Sequence, residues 1–391
     1  MSESTTVQKD VGSVALVHDF LVDFRGGERV FKVLADAFPQ ADLFSPIYNR
    51  AGTRDAFGDR TVHTSYLNRL HPNSDSFRSL LPLYPRAVES LPLDGYDLII
   101  SSSSAWSHGV IAREGQRHLC YCHNPFRYAW DQRDEATVGR GRFMSSAIER
   151  TLGRWRSWDR AVSGEVDSYL ANGEITRERI ARCFGRSSKV VYPPVNTERF
   201  SPSQAGDRYV VLSELMPHKR IDVIVEAFTQ LGIPLSVIGD GPDLNRLRSL
   251  AGRSVEFAGR VSDEEVADRL ASSAALVQCA TEEFGIASVE AQAAGRPVLA
   301  LAEGGALETV IAGKTGGFFE RPTPEALVAA LSQFNPGSFS SGDCVANSQR
   351  FSVDAFSAGI QSAVNDLASI PNAPRERVKE RRRGLWRPPI A

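Results

Sequence analysis

Short apolar runs alternate along this chain with longer segments in which apolar residues recur every three or four positions. In the first half, five such runs read as strands: Ser13–Val17, Tyr96–Ile100, His118–Cys122, Val166–Ala171 and Lys189–Tyr192. Between the first two runs, apolar residues from Val30 to Phe38 have helical spacing. Strands that alternate with helices predict a parallel sheet, so we expect an α/β domain here.

A polar, proline-bearing stretch at residues 193–207 interrupts the alternation, which then restarts. The second set of predicted strands is Tyr209–Leu212, Pro234–Ile238, Val255–Ala258, Ala274–Gln278 and Val298–Leu301. Among the helical segments of this half, one opens at Pro217–Arg220, and Ser262–Glu265 caps another. We therefore predict two Rossmann-like domains that face each other across a cleft, with ligands at the carboxyl ends of the strands. The predicted division is 1–200, 208–350, a helix at 351–371 and a tail at 372–391.

The composition fits a two-domain globular protein, because 391 residues are long for one core. A hydrophobic content of 42% and a formal net charge of −2 give no reason to expect nucleic acid. The N-terminus lacks a signal-peptide pattern, and no run approaches the roughly 18 apolar residues of a membrane span. The odd number of cysteines, five without a Cys-x-x-Cys, makes a disulfide framework or a zinc site unexpected. The simplest interpretation is a cytoplasmic protein.

The C-terminal tail differs from the rest of the chain in charge. Residues 373–391 carry seven lysines and arginines against two glutamates, together with Trp386, and we expect this segment to be mobile. Each basic residue gains about 1 kcal/mol near an anionic lipid surface, and tryptophan suits the membrane interface. The apolar segment Phe77–Arg86 carries arginines near both ends. Two interpretations stay open: peripheral attachment to the inner face of the cell membrane, or a solubilising tail with helix 77–86 packed in the core.

Two carboxylates stand eight residues apart in the stretch 282–298. Glu282 precedes a turn at Phe284-Gly285, and Glu290 falls inside the helix that opens after the turn. A helix N-terminus beside a glycine attracts phosphate, and carboxylates on either side can accept hydrogen bonds from sugar hydroxyls. The layout suits a nucleotide-diphosphate sugar. The alternative is an ordinary acidic helix start, which the helix dipole also favours.

The glycine-rich turns bear on whether the chain belongs to another class of nucleotide-binding protein. The pair Gly26-Gly27 stands before a helix and can offer backbone N–H groups to a diphosphate, although such a pair is more often simple turn geometry. The turn at Gly239–Pro242 lacks the third glycine of a dinucleotide fingerprint, and no Walker loop is present. These observations argue against an NAD dehydrogenase and against an NTPase. We interpret Gly304-Gly305 and Thr315–Gly317 as turns.

Together these stretches resemble the retaining glycosyltransferases of family 4, which have the GT-B fold. In the second half, the matching motifs are Lys219, Gly239–Pro242, Ser262–Glu265, Glu282–Glu290, Gly304-Gly305 and Thr315-Gly316. In the first half, the motifs resemble a branch of mannosyltransferases of O-antigen and exopolysaccharide assembly. They are His18–Phe20, Gly26–Val30, Tyr96–Ser103, Tyr121–Asp131 and Tyr192–Phe200. The resemblance covers about residues 13–365.

The resemblance implies a metal-independent enzyme without a cofactor. It would transfer a hexose onto a lipid-linked saccharide or glycolipid in cell-surface polysaccharide assembly. The expected hexose is mannose, with GDP-mannose as the sugar donor. The implied catalytic residues are His123, Glu282 and Lys219. The implied contacts to the sugar donor are Gly26, Gly27, Lys219, Arg220, Gly239, Phe284, Gly285, Ile286 and Glu290. Arg127 and Asp131 are either acceptor contacts or a structural pair.

One departure from the family concerns the phosphate site. The family usually has an arginine five residues before the lysine, whereas this chain has Glu214. Either Arg220 or the Gly26-Gly27 loop compensates, or binding of the sugar donor is weaker. The alternatives are a rhamnosyl-, glucosyl- or galactosyltransferase and a catalytically weak nucleotide-sugar-binding subunit.

Overall fold

The computed structural model describes residues 12–131 and 142–369. Its contacts divide the chain into two compact units. The first unit comprises the described residues up to Val191 and those from Ser357 onward, and the second comprises Tyr192–Phe356. The basic tail predicted at 372–391 lies outside the described residues.

The first unit is built on a seven-stranded parallel sheet of order β3-β2-β1-β4-β5-β6-β7. Its strands are β1 Val14–His18, β2 Asp42–Ser45, β3 Val62–Thr64, β4 Leu98–Ser103, β5 Arg117–Cys122, β6 Ser168–Ala171 and β7 Ser188–Val190. Its helices are Gly26–Ala37, Tyr84–Glu89, Arg127–Trp130, Arg142–Ser163 and Glu174–Phe184. The last helix, Val353–Ser369, begins in the second unit. Five of these strands correspond to predicted runs, whereas β2 and β3 were not predicted.

Aromatic side chains form much of the core of the first unit. Trp106 contacts Phe126, Trp155 and Trp158, with ring centroids 4.7 to 5.6 Å apart. The segment 77–86 forms a 3₁₀ helix, Phe77–Leu83, that leads into the helix Tyr84–Glu89. Most of its apolar side chains pack against this core, whereas Leu83 is 41% exposed.

The second unit contains a six-stranded parallel sheet of order β10-β9-β8-β11-β12-β13. Its strands are β8 Tyr209–Leu212, β9 Leu235–Ile238, β10 Val255–Gly259, β11 Leu276–Gln278, β12 Val298–Leu301 and β13 Gly316–Phe319. Its helices are Ile221–Leu231, Leu244–Leu250, Asp263–Ala271, Ile286–Ala293, Ala306–Thr309, Pro324–Gln333 and Ser341–Ser348. The parallel Rossmann-like sheets of both units confirm the predicted α/β fold class.

Local sequence accounts for two details of this unit. The predicted cap at Ser262 is confirmed, because its hydroxyl accepts a hydrogen bond from the N–H of Glu265 at 3.2 Å. The interpretation of Thr315–Gly317 as a turn was wrong, since Gly316 and Gly317 lie in β13. A Cβ on Gly316 would overlap the carbonyl oxygen of Val298 on β12, so glycine permits the close approach of these strands.

Candidate active site

The two carboxylates of the second unit flank the start of one helix. Gly285 has a left-handed backbone, φ 87° and ψ 66°, and precedes the helix Ile286–Ala293 without a side-chain hydrogen bond at the cap. Glu282 lies in the loop before this turn, and Glu290 lies on the helix. The first N–H groups of a helix have no partner within the helix, so this turn presents backbone donors beside Glu282.

Lys219 and Glu282 form an ion pair at the edge of a pocket. The Nζ of Lys219 donates a hydrogen bond to Oε1 of Glu282 at 2.8 Å, and the side chains are 22% and 27% exposed. The pocket lies where β8 and β11 end, and its empty space of about 310 Å³ includes the open solvent at its mouth. Gln278, Cys279 and Ala287 line it as well. A cation and a carboxylate therefore share a concave site at strand ends, where ligands of parallel sheets bind.

Glu290 is paired with an arginine that the sequence analysis did not single out. Nη2 of Arg199 donates to Oε1 of Glu290 at 2.9 Å, and Nη1 of Arg199 lies 3.1 Å from Asp263. The guanidinium also stacks on the ring of Phe200, 4.6 Å from its centroid. Because Glu290 is mostly buried, this arginine lowers the cost of keeping the carboxylate ionised.

Phe284 and Ile286 contribute differently to the loop. The ring of Phe284 is buried, with its centroid 5.8 Å from Tyr192 and 5.3 Å from Phe351. Ile286 is half-buried against the same cluster. A contact between Phe284 and a sugar donor would therefore come from its backbone.

Glycines hold the backbone on both sides of the pocket. The N–H of Gly305 donates to the carbonyl of Glu282 at 2.8 Å, and a Cβ on Gly305 would overlap the backbone of Phe284. Likewise, a Cβ on Gly239 would overlap the carbonyl oxygen of Ser213. Gly304-Gly305 was interpreted as a turn and as one of the motifs that resemble the family. The structure shows that this pair packs under the loop that carries Glu282.

The side chain of Glu214 is exposed. The neighbouring Leu215 is buried, and its N–H donates a 3.0 Å hydrogen bond to the carbonyl of Asp240 in the Gly239–Pro242 turn. Arg220 has left-handed backbone angles and starts the helix Ile221–Leu231. Its guanidinium donates to the carbonyl of Pro322 at 3.2 Å and lies 3.4 Å from Asp222. Compensation for Glu214 by Arg220 stays a prediction.

In the first unit, three polar side chains meet at the carboxyl ends of β1, β4 and β5. Oγ of Ser102 lies 3.0 Å from Nδ1 of His18 and 2.8 Å from Nε2 of His123. Burial, with a further contribution from His18, lowers the pKa of His123 to about 4. The ring is therefore neutral near pH 7. Gly27 is adjacent, since a methyl group there would lie 3.6 Å from Cε1 of His18 and 4.0 Å from Nε2 of His123.

Asp19 organises the loop that follows β4. Asp19 is buried and accepts hydrogen bonds from the hydroxyl of Ser104 and from backbone N–H groups at residues 104–107. Burial raises the pKa of this carboxyl, but His18 and the backbone donors outweigh it and hold the pKa below its usual value. Ser102 was missed as a candidate, although the run of four serines at a strand end was visible in the sequence.

The two candidate acceptor contacts have different surroundings. Oδ1 of Asp131 accepts a 2.5 Å hydrogen bond from Arg182, and Oδ2 lies 3.2 Å from Arg179, both on the helix Glu174–Phe184. Arg127 is exposed at the start of the helix Arg127–Trp130. The charge of Asp131 is thus balanced within the first unit, while contact of either residue with an acceptor stays a prediction.

Two features are absent from residues 12–131 and 142–369. No group of three or more His, Cys, Asp and Glu side chains in this part of the chain is arranged to hold a metal ion. None of its helices combines the length and apolar character needed to cross a bilayer.

Comparison with known families covers both halves of the chain. The model of Glycosyltransferase Family 4 matches residues 24–199, and the model of glycosyl transferases group 1 matches residues 196–351. The second match contains Lys219, Glu282 and Glu290. This chain belongs to the family 4, group 1 glycosyltransferases. The resemblance seen in the sequence is thereby confirmed at the level of the family.

Individual relatives of this glycosyltransferase are distant. A GDP-mannose-dependent alpha-(1-6)-phosphatidylinositol monomannoside mannosyltransferase of Mycolicibacterium smegmatis is 32% identical over 44% of this chain and 54% of its own length. A D-inositol 3-phosphate glycosyltransferase of Streptomyces avermitilis is 30% identical over 44% and 43%. The chain thus spans about half the length of the curated relatives it matches.

A solved structure shows the fold. The Anabaena protein HepE in complex with UDP and glucose superposes with a TM-score of 0.66 over 91% of this chain and 99% of HepE, at 17% identity. Together with the two parallel sheets, this likeness identifies the fold as GT-B.

Proposed function

We propose that this glycosyltransferase moves mannose from GDP-mannose to a lipid-linked saccharide or glycolipid, with retention at the anomeric carbon. The observation that carries the proposal is the Lys219–Glu282 pair, in a pocket beside the first turn of the helix Ile286–Ala293. The GDP-mannose-dependent relatives favour the guanine nucleotide and the mannose. The reaction belongs to cell-surface polysaccharide assembly at the inner face of the cell membrane.

The proposed chemistry needs no protein nucleophile. The bond between the anomeric carbon and the diphosphate oxygen breaks as the acceptor oxygen bonds to the same carbon. The departing phosphate oxygen takes the proton of the acceptor hydroxyl. Lys219 and the N–H groups near Gly285 stabilise the negative charge that develops on the diphosphate, and the enzyme holds both substrates in position.

The two glutamates divide the recognition of the sugar nucleotide. When the diphosphate engages Lys219, Glu282 is free to accept hydrogen bonds from sugar hydroxyls. Glu290 binds ribose hydroxyls while Arg199 holds one of its oxygens. His123 contacts the sugar as a neutral ring.

A thermal-shift panel tests the choice of sugar donor. GDP-, UDP-, ADP- and dTDP-sugars would be compared, since a ligand at 100 times its dissociation constant stabilises a protein by about 2.7 kcal/mol. We expect the largest shift with GDP-mannose. A larger shift with a UDP- or dTDP-sugar would support the rhamnosyl-, glucosyl- or galactosyltransferase alternative.

The exposed Glu214 favours one alternative function, a subunit that binds a nucleotide sugar with little turnover. A carboxylate cannot neutralise phosphate, so the site has less positive charge than the family's usual arginine would provide. Measurement of both binding and turnover separates the two functions. Binding of GDP-mannose without any release of GDP would establish the binding subunit.

A membrane-bound acceptor has some support in the first unit. Tyr66, Leu70 and Leu83 are 46%, 61% and 41% exposed. Arg69 lies in the same 3₁₀ helix as Tyr66 and Leu70, and Arg86 lies in the helix Tyr84–Glu89 that follows Leu83. Co-sedimentation with anionic and neutral vesicles, with and without residues 373–391, tests attachment. We expect the full-length chain to bind anionic vesicles at low salt. Absence of binding would remove this role from the tail and favour a soluble acceptor.

A further inference from the structure

The contacts among His18, Ser102 and His123 form a continuous chain. Ser102 Oγ lies within hydrogen-bond distance of one ring nitrogen of each histidine. The other ring nitrogen of His18, Nε2, lies 3.9 Å from Oε1 of Glu28. Glu28 is itself fixed, because its Oε2 accepts a 3.0 Å hydrogen bond from the N–H of Arg25. Hydrogen-bond distances thereby connect His18, Ser102 and His123, and the Glu28 carboxylate on the helix Gly26–Ala37 acts on His18 at 3.9 Å through its charge.

The chemistry of these groups determines which of them donates and which accepts each hydrogen bond. The carboxylate of Glu28 favours a proton on Nε2 of His18, which leaves Nδ1 of a neutral ring as an acceptor. A hydroxyl has one proton, so Ser102 donates it to His18 and accepts a hydrogen bond from His123. The donated proton of His123 is then on Nε2, and its Nδ1 carries a lone pair.

The exposure of these side chains also distinguishes His123 from the other two. His18 and Ser102 are 3% and 0% exposed, whereas His123 is only half-buried. His123 is thus the ring of this chain that a ligand can reach most easily. Glycine at position 27 leaves space beside both rings.

We propose that Glu28, His18 and Ser102 hold His123 as the tautomer protonated on Nε2, so that Nδ1 accepts a hydrogen bond from a hydroxyl of the sugar substrate. Ser102, His18 and Glu28 are positioning residues that act through His123. The identity of the bound hydroxyl rests on the proposed transferase function. The tautomer does not, because it exists in the ligand-free protein.

Histidine ¹⁵N NMR of the ligand-free, full-length protein reads the tautomer directly. The His123 signals would be identified by their loss in His123→Asn. We expect the wild type to show protonated Nε2 and unprotonated Nδ1. Ser102→Ala should produce a mixture of both tautomers, and Ser102→Thr, which keeps the hydroxyl, should restore one.

The neighbouring serine offers a matched control. Oγ of Ser101 lies 2.8 Å from Nε2 of the buried His118, on the same two strands but outside the chain to His123. Ser101→Ala should leave the His123 tautomer unchanged. If Ser102→Ala fails to fold, Glu28→Gln keeps the cap acceptor, and it should still reduce the preference for the Nε2 proton.

Turnover provides a second readout. Loss of a group that orients a metal-ligating histidine commonly costs about 10- to 100-fold. Ser102→Ala likewise removes the partner that orients His123, so we expect it to lower kcat by about 10- to 100-fold, with little change in KM for the sugar donor. A wild-type His123 protonated on Nδ1, or a Ser102→Ala variant with an unchanged tautomer, would overturn the proposal. If the tautomer is as expected and no transfer occurs with any sugar nucleotide, the proposed positioning of His123 stands and the proposed function fails.

Discussion

The candidate residues of the two units are held by different forces. In the second unit, Lys219 with Glu282 and Arg199 with Glu290 are opposite charges at 2.8 and 2.9 Å. In the first unit, His123 is kept neutral by burial and is bound through a serine hydroxyl. The second unit therefore carries charged groups, suited to a diphosphate and to the hydroxyls of a nucleotide sugar, and the first carries neutral groups suited to sugar hydroxyls. The predictions below test this division.

Removal of Lys219 should have the largest effect. Because Lys219 lines the pocket and carries its positive charge there, we expect Lys219→Ala to lower kcat by about 10²–10³ through lost stabilisation of the departing diphosphate. Lys314, which pairs with Asp343 at 3.3 Å on the surface of the same unit, provides the control. Equal losses in Lys219→Ala and Lys314→Ala would show that the pocket lysine has no special role.

Protonation of His123 should lower the free energy of unfolding at acid pH. Its pKa is about 4 in the folded protein and about 6.5 when unfolded, so the unfolded state binds more protons between these values. The contribution to the free energy of unfolding is complete above pH 6.5 and is lost as the pH falls towards 4, by at most about 3 kcal/mol. Urea unfolding of wild type and His123→Gln from pH 7 to 4 measures this. Parallel curves would show that His123 is not held neutral by burial.

The two glutamates should separate in kinetics. We expect Glu290→Ala to weaken nucleotide binding by about 10- to 100-fold, because a hydrogen bond to a charged group contributes about 1.5–3 kcal/mol. Glu282→Ala should mainly lower kcat, since the proposed function assigns this residue to the sugar and Glu290 to the ribose. Isothermal titration with GDP, together with initial rates, compares them. Full activity in either variant would remove its assigned role.

The close packing of Gly305 under the loop that carries Glu282 should be sensitive to a single added methyl group. Gly305→Ala would force its Cβ into the backbone of Phe284, so we expect a loss of about 1–3 kcal/mol in stability. Gly342→Ala adds the same methyl group on the helix Ser341–Ser348, 3.6 Å from the hydroxyl of Ser340, and should be neutral or slightly stabilising. Thermal unfolding compares the two. An unchanged Gly305→Ala protein would mean that the loop carrying Glu282 shifts without cost.

Local patterns explain how much of the fold the sequence predicts. The predicted strands that match β1 and β4 to β12 are short apolar runs, and all of them except β7 and β10 are largely buried. The strands β2 and β3 read Asp-Leu-Phe-Ser and Val-His-Thr, which are too short and polar to stand out. The glycines of β13 resemble a turn, although they permit a close strand contact.

Side chains that act across long sequence separations explain what the sequence does not predict. The glutamate motif is local, and both its members were identified. Ser102 lies 84 residues from His18, and Arg199 lies 91 residues from Glu290. Ser102 and His18 come together because their strands are neighbours in the first sheet. Arg199 and Glu290 come together through the packing of the second unit.

The most direct test of the central claim is release of GDP from GDP-mannose, with membrane lipid extract as the acceptor and EDTA present. The account predicts that the wild-type protein releases GDP and forms a mannosylated product with the α-anomeric configuration of the sugar donor. It predicts that Lys219→Ala and Glu282→Ala do so far more slowly. Strict dependence on added Mg²⁺ or Mn²⁺, or inversion at the anomeric carbon, would contradict it.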